Sequence, residues 1–173
     1  MIFKKKKIHL HLFIIFLLFF GFQSYGEETQ NTIEIKNPIF TTKSIDGSPY
    51  EIKAEKGLQR ENFLDLFVIE AKLKTNNDIW IYLNADKGTF DQSSGEILLE
   101  SNIEIYTEAD EKIFAELANV NTNGKIITLK KNVKYQDSNI FISADESIIN
   151  DDFSSITYYG NVKSKVLKNE SSE

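Results

Sequence analysis

The residues able to do covalent or acid–base chemistry are few, and their placement narrows the choice of function. The 173-residue chain has no cysteine, and its two histidines, His9 and His11, both lie in an apolar leader. Thiolate, Ser-His-Asp, Cys-His and His-ligated metal chemistry are thereby excluded by inventory. Carboxylates, Lys, Ser/Thr and Tyr remain. The acidic residues most regularly placed follow an alanine: Ala54-Glu55, Ala85-Asp86, Ala115-Glu116 and Ala144-Asp145, recurring every 29–31 residues. A carboxylate pair can hydrolyse a glycosidic bond only when both groups flank one substrate. Acids a whole repeat apart, each on a solvent-facing position, mark a structural repeat instead. No enzyme, metal site or cofactor is expected.

The elements that carry these alanines are short alternating runs. A second feature repeats beside them, as Ser101-Asn102-Ile103, Lys131-Asn132-Val133 and Gly160-Asn161-Val162. A period of about 30 residues built from period-two runs implies one strand-turn-strand unit copied along the chain, each copy burying its apolar face against its neighbours. The expected fold is all-β, a stack of antiparallel hairpins. No capped helical pattern follows the leader, and the two prolines lie early, leaving later strands unbroken.

Period two assigns the faces. Ile79, Ile81, Leu83 and Ala85 share one face, with Trp80 and Tyr82 on the other. Ile97, Leu99, Ile103 and Ile105 follow, then Ile113, Ile127, Leu129, Val133, Tyr135, Ile140 and Ile142, and last Ile156 and Tyr158. Asp46-Gly47, Ser94-Gly95 and Asn123-Gly124 supply the turns. A small Ala, with Gly88 after it, suits crowded corners where strands bend around a common interior. The acid beside it is expected to face outward and accept from turn amides.

The charge balance addresses partners. Residues 1–26 contain Lys4 to Lys7, then an almost wholly apolar run, and no acid precedes Glu27. From Glu27 onward 16 basic residues face 26 acidic ones, and Arg60 is the only arginine. Nucleic acid and broad anionic membrane surfaces are poor partners for such a chain. The Lys run before and acids after the apolar segment place the later residues across the inner membrane. Two fates are open: an uncleaved anchor, or a signal peptide cut before Glu27, where Ser24 and Gly26 are the small residues. Residues 27–36 read as a polar tether, 37–167 as the folded domain and 168–173 as a polar tail.

At Asn37-Pro38-Ile39-Phe40-Thr41-Thr42, followed by Asp46-Gly47-Ser48-Pro49-Tyr50-Glu51-Ile52-Lys53-Ala54, the chain resembles the LptC family. That family is the periplasmic component of the lipopolysaccharide export machine of Gram-negative bacteria. Ala85-Asp86-Lys87-Gly88 and Gly160-Asn161-Val162 also fit, and the resemblance spans roughly residues 33 to 167. It implies a V-shaped β-jellyroll of repeated antiparallel hairpins behind one N-terminal hydrophobic segment, anchored in the inner membrane with the folded domain in the periplasm. It further implies that the protein receives lipopolysaccharide from an inner-membrane ABC transporter, holds the acyl chains in an apolar interior and passes them to a periplasmic bridge protein by strand addition.

The residue pattern nominates the surfaces for those tasks. The interior face is Ile81, Leu83, Ile97, Leu99, Ile103, Ile105, Ile113, Ile127, Leu129, Val133, Ile140 and Ile142, a run unbroken by charge. Ile39, Phe40 and Thr41 would form one partner edge, and Val162 and Val166 the other. Two alternatives stand beside this reading: a soluble periplasmic bridge module of the same system, or a structural envelope β-repeat with a filled core that binds protein through its edges.

Overall fold

The computed structural model describes residues 32–43, 49–75, 78–121, 126–150 and 153–167. They form eleven strands: β1 (Ile33–Lys36), β2 (Ile39–Lys43), β3 (Pro49–Arg60), β4 (Phe63–Lys74), β5 (Trp80–Asp91), β6 (Glu96–Thr107), β7 (Lys112–Asn121), β8 (Ile126–Gln136), β9 (Ile140–Asn150), β10 (Ile156–Tyr159) and β11 (Lys163–Val166). The protein is all-β, and no helix occurs among the described residues. From β3 to β9 each strand pairs antiparallel with the next, which is what short connections between alternating runs dictate. β1 and β2 share β3, and β10 and β11 share β9, so each edge of the single sheet is a split strand.

The sheet is bent along a line crossing every long strand near its middle. At that line β6 and β8 each carry an extra residue, so the register shifts between Glu100/Ile103 and between Lys130/Val133. The extra residues take the left-handed conformation: Ser101 and Asn102 at φ 65° and 49°, Lys131 and Asn132 at 63° and 54°. Gly160 and Asn161, at 65° and 41°, continue the line between β10 and β11. Asn37, at 48°, continues it between β1 and β2. Asparagine tolerates that region better than most side chains, and a bulge there turns the strand sharply.

Two of the acids that follow an alanine, Asp86 and Asp145, have a specific task here. Asn102 Nδ2 donates to Asp86 Oδ2 at 2.8 Å, and Asn161 Nδ2 donates to Asp145 Oδ2 at the same distance. At these two places the Ala-acid and Asn motifs are halves of one device, in which the acid on one strand ties down the left-handed asparagine beside it. For this pair of acids the side-chain bond takes the place of the expected acceptance from turn amides.

Inside the bend small residues face large ones on a neighbouring strand: Ala85 pairs with Ile69, Ala115 with Ile103 and Ala144 with Val133. Ala54, Ala85, Ala115 and Ala144 are all buried. A Cβ on Gly88 would stand 2.7 Å from Ile69 Cδ1 and 2.9 Å from Leu99 Cδ2, closer than real carbon contacts. On either side of the bend the inward residues meet in one core, with Leu66, Leu99, Leu129 and Ile149 from one half and Ile69, Ile81, Ile103 and Val133 from the other. Leu129 and Ile149 are 0% exposed and Ile103 and Val133 1%. Each such side chain contributes about 1.5–3 kcal/mol by leaving water.

Three details differ from the sequence expectation. Ile33–Lys36, expected within a polar tether, is strand β1, with Ile33 paired to Gln59 and Lys36 to Lys56. The folded domain therefore begins four residues earlier than residue 37. Ile79, expected on the inner face, precedes β5 and is 49% exposed. Its carbonyl accepts from the Thr75 amide at 2.9 Å and its own amide donates to Thr75 Oγ1 at 3.2 Å, which commits it to the turn. Val162 lies between β10 and β11 rather than in a strand.

The Ser94-Gly95 turn is present: Gly95 has φ 74°, and Asp91 Oδ1 accepts from the Ser93 amide at 2.8 Å. The leader, the polar tail and the Asp46-Gly47 and Asn123-Gly124 turns lie outside the described residues. No helix among the described residues is long and apolar enough to cross a membrane.

Candidate functional site

The inner-face residues divide into a packed part and an open part. Ile81, Leu99, Ile103, Ile105, Ile113, Leu129 and Val133 are buried in the core, and Leu83, Ile97 and Ile127 pack partly buried against it. Ile140 and Ile142 are half-buried. All of these lie on the inner face, as period two requires. Around Ile103 and Leu129 the interior is a filled core. Ile105 and Ile113, from the edge of that core, and the half-buried Ile142 also line a cavity of about 310 Å³.

That cavity is built from both halves of the bent sheet. One wall is the far end of β6 to β9, with Thr107, Glu111 and Tyr135 beside the isoleucines. The other is the segment from Phe153 to Ile156 together with Tyr158 of β10. The Asn150 carbonyl accepts from the Phe153 amide at 3.0 Å, and Asn150 Oδ1 accepts from the Ser155 amide at 3.1 Å. These bonds fold the connection so that Phe153, at φ 57°, packs against the core. The Tyr135 and Tyr158 rings meet edge to face at 6.5 Å, one from each half.

The polar groups of the cavity are acidic or neutral. Tyr135 Oη lies 3.0 Å from Asp137 Oδ2 and 3.3 Å from Glu111 Oε1. Thr107 Oγ1 donates to Glu111 Oε2 at 3.2 Å. Burial first, and then the bond to Asp137 and the charge of Glu111, push the Tyr135 phenol far above its ordinary value. Burial, with Glu111 as the lesser cause, pushes Tyr158 up to about 12. Both phenols are therefore neutral hydrogen-bonding groups at any physiological pH. The Asn139 and Ile140 amides hold Asp137 below the usual carboxylate range, keeping it charged.

Sequence reasoning placed Tyr135 and Tyr158 on strands without marking them as cavity walls. It did not single out Thr107, Glu111 or Phe153. A signal existed, since a tyrosine at an inward position otherwise held by Ile or Val brings a hydroxyl into an apolar face.

The edges are the second candidate surface. Ile39, Phe40 and Thr41 lie in β2, where Ile39 is 61% exposed and Phe40 packs partly against the core. All four residues of β11 are exposed, and Val166 at 74% is the most exposed large apolar side chain among the described residues. Among the described residues no further strand lies beyond either edge. Such an edge can pair with another chain.

No protein-family model matches the chain, and no curated protein does either. The geometry therefore carries the functional argument. Among the described residues no cluster of three or more His, Asp or Glu is placed to hold a metal.

Proposed function

We propose that the protein is a lipopolysaccharide transport component of the LptC type, a V-shaped β-jellyroll held at the inner membrane by its N-terminal segment. It receives lipopolysaccharide from an inner-membrane ABC transporter and passes it to a periplasmic bridge protein. The observation that carries this reading is an antiparallel sheet bent over an apolar interior that opens at one end into a cavity, with a split, uncovered strand at each edge. Apolar walls suit acyl chains, and uncovered edges suit strand addition.

Energetics fit a relay. Burying an alkyl chain from water is worth about 0.8 kcal/mol per CH₂, but a lipid arriving from a bilayer has that stabilisation already. The interior has only to match the membrane, and direction comes from ATP hydrolysis upstream. A cavity of about 310 Å³ holds one chain segment, so uptake of a whole lipid requires the two halves to part at their open side.

The test is photo-crosslinking in cells. A crosslinker at Ile142 or Ile105 is expected to capture lipopolysaccharide, and one at the outward Asn119 is not. No capture at Ile142 or Ile105 in a working chain would overturn the lipid-relay reading. The filled core around Ile103, Leu129 and Ile149 favours a second reading, a structural envelope repeat acting only through its edges. Normal lipopolysaccharide export after depletion of the chain would select it.

A further inference from the structure

The cavity between β7, β8 and β10 has a sign. Glu111 precedes Ile113 by two residues, and the Thr107 amide donates to the Glu111 carbonyl at 3.1 Å, so Glu111 stands on the inner-facing phase at the cavity mouth. Asp137 adds a second carboxylate through the hydroxyl of Tyr135. The basic residues on the surrounding strands are turned away. Lys112 alternates with inward Ile113 and pairs with Glu104 at 3.4 Å. Lys134 lies between inward Val133 and Tyr135. Lys163 and Lys165 stand opposite Ser143 and Phe141, on the outer side of β9, whereas Ser164 and Val166 stand opposite Ile142 and Ile140 on the inner side. None of the cavity's lining residues is Lys or Arg.

Behind this acidic mouth the walls are Ile105, Ile113 and Ile142, closed by the faces and edges of Tyr135, Tyr158 and Phe153. Aromatic rings with carboxylates beside them attract an alkylated ammonium and repel an anion. At about 310 Å³ the space lies at the small end of ligand pockets, where one alkyl chain suffices to fill it.

We propose that this cavity is a binding site for a single-chain amphiphile with a cationic head, its alkyl chain among Ile105, Ile113 and Ile142 and its ammonium at Glu111. This is the cavity into which the proposed relay would admit acyl chains; binding of the cation-headed amphiphile does not depend on that reading, and the phosphates of a relayed lipid would point away from this mouth.

The probes are octyltrimethylammonium and octyl sulfate, equal in chain and opposite in charge, both below their micelle-forming concentrations. The readout is the ¹³C-methyl NMR shifts of Ile105, Ile113 and Ile142 in the full-length chain. The ammonium is expected to shift these methyls saturably and to bind at least about tenfold more tightly than the sulfate. Glu111→Gln is expected to bring the ratio toward one while leaving the Ile149 methyl unchanged. Equal binding, preference for the sulfate, or no saturable shift from either probe would overturn the site. An unchanged ratio in a folded Glu111→Gln variant would overturn the role of Glu111. Should that variant fold poorly, the ratio in the unaltered chain decides alone. Because the readout contains no lipopolysaccharide, failure here and failure of the crosslinking test are separate results.

Discussion

Single residues at the bend show how local strain and local fit are matched to the fold. Val68 holds φ 54° with its side chain 50% exposed, on the same line where asparagines sit in β6 and β8. A β-branched residue in that region costs about 1–3 kcal/mol. Val68→Asn is therefore expected to raise stability by about 1 kcal/mol, read as a shift of the urea midpoint at constant slope. Tyr158 makes a pH prediction. Its folded pKa, about 12, lies above the unfolded value of about 10, so the phenolate forms first in the unfolded chain. The stabilisation is complete below about pH 10 and is lost as pH rises through 12. Tyr158→Phe is expected to flatten that part of the stability–pH profile, which unfolding midpoints between pH 9 and 12 would measure.

At the scale of the strand, the bend is made in two ways. In β8 the inward Leu129 and Val133 are four residues apart, with Lys131 and Asn132 together opposite Asp145, whereas in β9 the inward Ala144 and Ser147 are three apart with no extra residue. Deleting Asn132 gives β8 the spacing of β9 and leaves Val133 opposite Ala144. The deletion is expected to keep a sigmoidal urea transition and to lower its midpoint, by about 1–3 kcal/mol of stability. The strands were legible in the sequence because period two survives on each side of a bulge: Ile97 and Leu99, then Ile103 and Ile105, keep their phase across Ser101-Asn102. β1 was missed because its signal is only Ile33 and Ile35, two positions among acids and lysines, and its partner β3 is distant in sequence. Ile79 was misplaced because alternation extends through a turn that only the Thr75 hydrogen bonds define. The cavity needed the path of the 153–156 segment, which folds back through Asn150 and has no period to read.

At the scale of the whole molecule, the packed core and the uncovered edges are separable by mutation. Val162 and Val166 are 50% and 74% exposed and add little to the core. Replacing both by Lys is expected to leave stability within about 0.5 kcal/mol, as surface changes do. The same replacement is expected to abolish crosslinking from Ser164 to the proposed bridge protein, because charges on an edge deter strand addition. The edges also have a direction. Seven full-length strands, β3 to β9, separate the split edges, and with each neighbour reversed an odd number leaves β1–β2 and β10–β11 running the same way. Two copies of this chain laid end to end with their bends aligned would meet parallel, against the alternation found everywhere inside. A seamless antiparallel joint needs a strand of opposite sense, so this odd count acts as a polarity label that disfavours head-to-tail stacking of identical copies.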